Sequence, residues 1–600
     1  MRITALVKQI PAFEEMELGP DGRLRRAGLD LEMNPYCRRA VAQAVAIAAA
    51  SPDDHECVFV TLGPPSADDT LREAIAWAID RGVAATGVLV TDPVFAGSDT
   101  LATARALAAA VVQAGPFDLV LTGRNSVDAD TGQVGPQLAQ MLGLPFLTGV
   151  KELRLDGDLV HARCEHDDAF VTAEVRCPAI LSTAERLIDP CKVEPAGRAA
   201  VPADRIRTIG AADLGAGPWG QAASPTWVGE VRVVPSDRAG VVLEGSPEAQ
   251  ARRAVALLVE RDAFGAGPSG PSAPVPTGRG AHGDAVAVVV EPDRPHDTRE
   301  LLGAAARLAG DIGGHAVAVR AHPDDDGCLA SWGADAIVAV EGVSVEQDVA
   351  RAVADWAATR IPWAILAPST AWGREVAGRV AAAIGAGLTG DAVDLEVCEG
   401  RLLAWKPAFG GQMVAAIHAT SPTQMATVRV GVLPLLEPRA PTDPVREVRT
   451  VDARSRVRVL ARDRDDDLDV LAEAAAVVGV GRGVDPADYP ALQPLLRVLG
   501  AELGATRKVT DNGWLPRARQ IGITGRSIAP RLFVSIGASG KFNHMVGVRT
   551  AGSVLAINPD RDAPVFPASD IGIVADWQAV VPHLVAAVEA LTATPAPGRG

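Results

Sequence analysis

Residues 531–558 read RLFVSIGASGKFNHMVGVRTAGSVLAIN: two apolar runs, RLFVSIG and VLAIN, joined by a Gly-rich polar stretch. Flanking them at 474–480 and 571–576 stand AAAVVGV and IGIVAD. Short β-branched runs separated by helix-length intervals are the pattern of a parallel α/β sheet. Each run stops at small or polar residues, namely Gly481-Arg482-Gly483, Ser539-Gly540, Asn558 and Asp576. Ligands of parallel sheets bind outside the carboxyl ends of the strands, so these residues are expected to converge on one site. Small residues at a strand-to-helix turn let backbone N–H groups approach a phosphate. The Gly479–Gly483 loop lacks the third glycine of GxGxxG, and by itself reads equally well as a tight turn.

Working outward, the same alternation fills the rest of the chain. From residue 2 to about 145, ITALV, CVFVTLG, TGVLVTD and DLVLTG alternate with Ala-rich amphipathic stretches. A second series starts at AVAVVVEP (285–292) and passes through HAVAVRA, AIVAVEG and AILAPST. Between them, FGAGPSGPSAPVPTGRGAHG (264–283) has the composition of a flexible linker. The two series also match each other: Leu147-Thr148-Gly149 falls opposite Leu388-Thr389-Gly390, and Arg186 opposite Arg429. A repeat of this length signals duplication of a whole domain. The fold class is therefore α/β, with two related parallel-sheet domains that look nucleotide-binding and a third α/β domain at the C-terminus. The expected division is 1–262, a linker at 263–283, 284–436, a polar hinge at 437–468, and 469–592.

Composition narrows the function. Six hundred residues exceed what one core organises. No window has the roughly 18 uninterrupted apolar residues of a membrane span, and the opening MRITALVKQIP lacks the regions of a secretion signal. A cytoplasmic protein, not membrane-embedded, is expected. The seven cysteines are scattered with no CxxC pair, which suggests neither a disulfide framework nor a metal site. A net charge of −17 without a basic stripe argues against nucleic acid.

The C-terminal motifs GATRKVTDNGW, QIGITGRSIAP, LFVSIGASGKFNHMVG, AINPDRDAPVF and DIGIVADW resemble, in order and spacing, the FAD domain of the electron transfer flavoprotein alpha subunit. The resemblance implies FAD as cofactor and assigns roles residue by residue. Arg482 would meet the pyrophosphate, while Thr506 and Arg507 would lie beside the isoalloxazine. The turn Ile521, Gly522, Ile523 and Thr524 would put the Thr524 hydroxyl near flavin N5. Ser539, Gly540, Lys541, Phe542, Asn543 and His544 would wrap the cofactor, with His544 toward flavin O2. Asn558, Asp576 and Trp577 would hold the adenosine end. Reduction spreads negative charge over N1, C2=O and C4=O, so a fixed guanidinium and an imidazole are apt there. Arg507, Thr524 and His544 are thus the flavin-tuning residues, and no side chain is assigned to bond-breaking catalysis. Three positions depart from the family pattern: Ile523 for Gln, Arg526 for Lys and Asn543 for Gln.

GLTGDAVDL, KPAFGGQMVAAI and QMATVRVG resemble the alpha subunit's first domain, with Lys406 where the family has Arg. VKQIP, LEMNPYC, TLGPP, GRNSVDADTGQVGPQ and RLIDP resemble the beta subunit, and RAGVVLEGSPEAQARRAVALLVER resembles its C-terminal arm. The whole chain thus resembles a fusion, beta half first. The beta-like half is implied to bind an adenine nucleotide through Leu6, Asn34, Pro35, Tyr36, Cys37, Leu62, Gly123, Asn125, Ser126, Asp128, Asp130, Thr131, Gly132, Gln133 and Val134. The resemblance admits AMP or a second FAD there, and Phe13 and Tyr36 could pack against the flavin. Asp128 and Asp130 would repel phosphate unless they contact ribose or backbone. Leu187 occupies the place of the family's partner-docking leucine, and reads equally as a core residue.

The expected function is an electron carrier between flavoprotein dehydrogenases and a quinone reductase or other acceptor. Two rivals are a bifurcating module with two FADs coupled to NADH, and a nucleotide-binding scaffold without a redox role.

Overall fold

The computed structural model describes residues 1–11, 30–51, 55–167, 169–184, 187–233, 238–264, 273–276, 282–321, 326–408, 413–440, 442–464, 470–471, 474–522, 525–526 and 528–593. Phe13, Arg186, Ile523 and Thr524 lie outside the described residues.

The chain is α/β, built on three sheets that are parallel throughout or for most of their width. The first runs Ile206–Ile209, Ala84–Val90, Glu56–Leu62, Arg2–Leu6, Leu119–Gly123, Ala179–Thr183, Phe146–Asp156, then antiparallel through Leu159–Glu165 and Ala169–Arg176 to Val457–Arg464. The second runs Gly387–Ala392, Gln424–Val428, Ala364–Pro368, Ala285–Val290, His315–Arg320, Ala336–Glu341 and Val445–Thr450. Six strands correspond in order, from Phe146–Asp156 back to Ala84–Val90 and from Gly387–Ala392 to Ala336–Glu341. The correspondence reaches the register. Leu147 pairs with Leu181 and Leu388 with Met425, and each pairing is followed by a shift, before Thr183 in one sheet and before Ala392 in the other. An irregularity preserved at one place in two sheets supports the duplication, because a bulge is a specific backbone solution.

The halves interlock. Thr226–Val233 leaves the first half and pairs with Met413–Ala419 in a separate four-stranded sheet. The helices Val134–Leu142 and Ala371–Ile384, one from each half, pack so closely that a Cβ on Gly378 would stand 2.9 Å from Pro136 Cγ. Arg379 on the second helix is 1% exposed and is shared between Glu375 and the Leu144 carbonyl of the other half.

The third sheet has the order Val241–Leu243, Ile571–Val574, Ser553–Asn558, Leu532–Ile536, Ala476–Val480, Glu502–Ala505, all parallel. Its five C-terminal strands follow the 2-1-3-4-5 order of a doubly wound sheet, whose switch point lies between the first and third. Here those are Ala476–Val480 and Leu532–Ile536.

Three boundaries differ in space from the division by sequence. The arm at 238–261 belongs to the third sheet: Val241–Leu243 is its edge strand, and helix Pro247–Glu260 buries Ala251, Ala254, Val255 and Leu258 in that core. The polar stretch expected as a hinge carries two strands among its described residues. Val445–Thr450 and Val457–Arg464 extend the second and first sheets as edge strands, their valines as well as their arginines largely exposed. Within the Pro-rich linker, Val275 is buried against the second core and 273–276 is held by Glu437 backbone and Arg439. One β-branched residue and a backbone pairing suffice to seat a segment whose composition reads as free.

Candidate functional site

The switch-point crevice of the third sheet gathers the C-terminal motifs. The loop after Ala476–Val480 and the loop after Leu532–Ile536 touch: a Cβ on Gly481 would lie 2.3 Å from Gly537 O, so only glycine fits. Gly540, at φ +74°, would set a Cβ 2.1 Å from Val565 Cα. Arg482, Ser539, Lys541 and Asp576 are exposed at the rim. Thr506 N–H donates to Val480 O at 3.0 Å and opens the helix Arg507–Asp511. Arg507 is half-exposed and its Nε meets Asp511 Oδ2 at 3.2 Å. Asn558 is buried, its Nδ2 donating to Ala538 O at 2.9 Å and its Oδ1 accepting from Asp560 N–H, so it braces the loop. Trp577 is buried in the core behind the strands rather than lining the crevice rim. Phe542 and Asn543 fall in the turn of helix Phe542–Met545, and their side chains lie outside what is described.

His544 completes that turn. It is 7% exposed, and its Nδ1 lies 3.1 Å from the Ile521 carbonyl. Its Nε2 is buried and has no partner among the described residues. Burial pushes its pKa down, and the Ile521 carbonyl partly opposes this. A buried nitrogen without a partner costs about 1–3 kcal/mol, which a bound polar group at that atom recovers. The crevice at the switch point, its glycine-only turns and this orphaned nitrogen fit a flavin or nucleotide cofactor.

A second set of residues meets at the carboxyl end of Leu119–Gly123. The Asn34–Cys37 turn seats directly on Gly123, where a Cβ would lie 2.8 Å from Tyr36 Cβ. Asn34 is fully buried; its Nδ2 donates to Asn125 O at 2.8 Å and its Oδ1 accepts from Val127 N–H. Asn34 is thereby committed to the loop backbone. Lys8 Nζ donates to both Asp128 oxygens at 2.7 and 2.8 Å and to Ser126 Oγ at 2.9 Å. Asp130, in the left-handed region at φ 43°, accepts from Asn125 Nδ2 at 2.7 Å. The acidic residues are thus neutralised or hydrogen-bonded within the loop. Gln133 accepts from Thr100 Oγ1 and donates to Leu388 O of the second half. Leu6 is buried and Leu62, Pro35, Thr131, Gly132 and Val134 are partly so.

Between the halves this loop faces a cleft lined by Arg124, Asn125, Gly132, Thr148, Ala371, Arg374 and Glu375. Arg124 makes no hydrogen bond or ion pair among the described residues. Gln137, at 0% exposure, and the Thr122 hydroxyl have polar atoms without a partner among the described residues. Lys8, Arg124 and Arg374 were not singled out from the sequence, although the first two lie inside the motifs VKQIP and GRNSVDADTGQVGPQ. Leu187 is half-buried against the first core.

A duplicated doubly wound scaffold followed by a 2-1-3-4-5 sheet with an equipped switch-point crevice defines a nucleotide- and flavin-binding α/β protein. The electron transfer flavoprotein domain model matches residues 21–205 and again 291–454, and the electron transfer flavoprotein FAD-binding domain model matches 470–549. Protein FixB of Clostridium saccharobutylicum is 33% identical over 301 residues, covering 48% of this chain and 90% of that protein. Electron transfer flavoprotein subunit alpha of Thermoanaerobacterium thermosaccharolyticum is 33% identical over 311 residues, 49% and 93% of the two chains. Caffeyl-CoA reductase-Etf complex subunit CarD of Acetobacterium woodii is 32% identical over 249 residues, 41% and 93%. The chain belongs to the electron transfer flavoprotein family. It functions in electron transfer, and its C-terminal domain is an FAD-binding domain. No helix among the described residues is long and apolar enough to cross a membrane, and no group of His, Cys, Asp and Glu among them could hold a metal.

Proposed function

We propose that this chain is a fused electron carrier, a beta-like half followed by an alpha-like half and its FAD domain, working in the cytoplasm. It takes electrons from flavoprotein dehydrogenases and delivers them to a quinone reductase or another acceptor. The observation that carries the reading is the switch-point crevice with its orphaned His544 Nε2. When bound there, FAD supplies the redox chemistry. Arg482 holds its pyrophosphate, Arg507 and His544 face the electron-rich edge of its ring, and Asn558 keeps the binding loop in place. Thr524 completes the set by resemblance alone. A fused chain keeps both halves at high effective concentration. Docking partners meet the surface near Leu187.

The loop on Gly123 holds AMP or a second FAD. The bifurcating alternative, with two FADs and NADH coupling, is favoured by the Asp128–Pro136 loop, which borders the cleft lined by Arg124 and Arg374. Extraction of nucleotides from the purified yellow protein decides: one FAD with one AMP supports the carrier, and two FADs support bifurcation. A colourless chain that stays colourless with added FAD rejects both.

A further inference from the structure

Ile521 contributes a backbone carbonyl to His544, and a carbonyl can only accept. The 3.1 Å contact therefore requires the proton on Nδ1. A neutral imidazole holds one ring proton, so Nε2 presents a lone pair and can donate only after taking up a second proton. Nε2 is also the ring's atom without a partner among the described residues, and it is buried. Phe533, on Leu532–Ile536, stands 5.9 Å away centroid to centroid and offers no hydrogen bond. Among the described residues burial and the Ile521 carbonyl are what shift the ring, and Lys541, in its own turn, is exposed.

We infer that His544 is a redox-linked proton acceptor, held as the Nδ1–H tautomer by Ile521, which takes one proton at Nε2 when an electron reaches the cofactor beside it. The inference rests on the flavin-facing position of His544 in the proposed function. The balance is simple: the reduced dehydrogenase gives one electron, solvent gives one proton, no covalent bond other than N–H forms, and the charge at the site is unchanged. Burial favours this pairing, because an added charge in a low-dielectric site is best met by an opposite one. The Ile521 carbonyl is the positioning group, since without it the ring could donate from Nε2 while neutral and no proton need follow the electron.

Two measurements test it on the full-length chain. Nitrogen-15 NMR of histidine-labelled protein without cofactor should show His544 neutral with the proton on Nδ1 at pH 7.5; an Nε2–H tautomer overturns the inference whatever the cofactor. In the FAD-loaded chain, spectroelectrochemical titration should show the first-electron equilibrium shifting about tenfold per pH unit, about 59 mV, between pH 7 and 8. His544→Gln should flatten that slope while the visible spectrum of the oxidised cofactor persists. A flat wild-type profile, or a slope that survives in His544→Gln, overturns the inference and leaves the carrier reading standing. Failure to bind FAD at all overturns both.

Discussion

The Asp167 carboxylate of the first half accepts a 2.5 Å hydrogen bond from the backbone N–H of Ala371, the first residue of a helix in the second half. A helix N-terminus favours an anion, so the contact fastens the halves at a charged point. Burial raises the Asp167 pKa, but Arg124, Arg294 and Arg374 outweigh it and hold the carboxyl down at about 2, from 3.8. A depressed pKa gives stability that is present above 3.8 and lost as pH falls through 2. Asp167 is itself exposed, so solvent screens its pairing, and Asp167→Asn should lose less than about 1 kcal/mol of stability at pH 6 and still less near pH 2, read by urea unfolding at each pH.

Glu291, hydrogen-bonded by the Thr370 hydroxyl that caps the same helix, titrates the other way. Burial raises its pKa from 4.5 to about 8 against Arg294. A raised pKa gives stability that is full below 4.5 and lost as pH rises through 8. Unfolding midpoints should fall between pH 5 and 8, and Glu291→Gln should remove part of that fall. An unchanged slope in the variant would mean that other groups set it.

Asp570 is 1% exposed and is gripped by Arg238 at 2.5 Å and Arg261 at 2.6 Å, both from the arm of the first half. Removing one side of a buried ion pair costs about 3–5 kcal/mol. Asp570→Ala should destabilise the third domain by about that amount in chemical denaturation. Glu248→Ala, which breaks an exposed pair with Arg252 on the same arm, should change it by less than about 0.5 kcal/mol.

Lys8 neutralises Asp128, which is 9% exposed in its side chain. Lys8→Ala leaves a carboxylate beside the proposed phosphate site, a loss of about 2 kcal/mol or roughly 30-fold in nucleotide affinity. Extracted protein should contain less of the first-half nucleotide and the same FAD in the third domain. Equal loss of both would show that Lys8 supports the fold instead.

Arg507 is half-exposed and its pair with Asp511 is an i,i+4 contact, worth only about 0.3–0.5 kcal/mol. Arg507→Ala should fold normally and lower the first-electron potential by one to two decades of equilibrium constant, about 60–120 mV. An unchanged potential would remove Arg507 from the flavin-tuning set.

The C-terminal site was legible because four of the five C-terminal motifs follow or include strands of one parallel sheet, and the topology carries those strand ends to one crevice. Gly481, Ser539 and His544 could be grouped from periodicity and resemblance. The first-half loop was half legible. Asn34 and Asp128 were picked out, but their engagement with Val127 backbone and Lys8 depends on a fold-back that sequence spacing does not encode. The strands at 445–450 and 457–464 were hidden because edge strands with charged outer faces look like polar linker.

By itself the sequence determined the three α/β units, their duplication and the place of the flavin motifs, because strand-length apolar runs and terminal glycines are local signals. Tertiary structure alone decided that the 238–261 arm belongs to the third sheet and that Asp167 caps a helix of the other half. It also decided that Ile521 fixes the His544 proton on Nδ1. Those are contacts between residues far apart in the chain, selected by burial and by the need to satisfy each buried polar group, and no local pattern carries them.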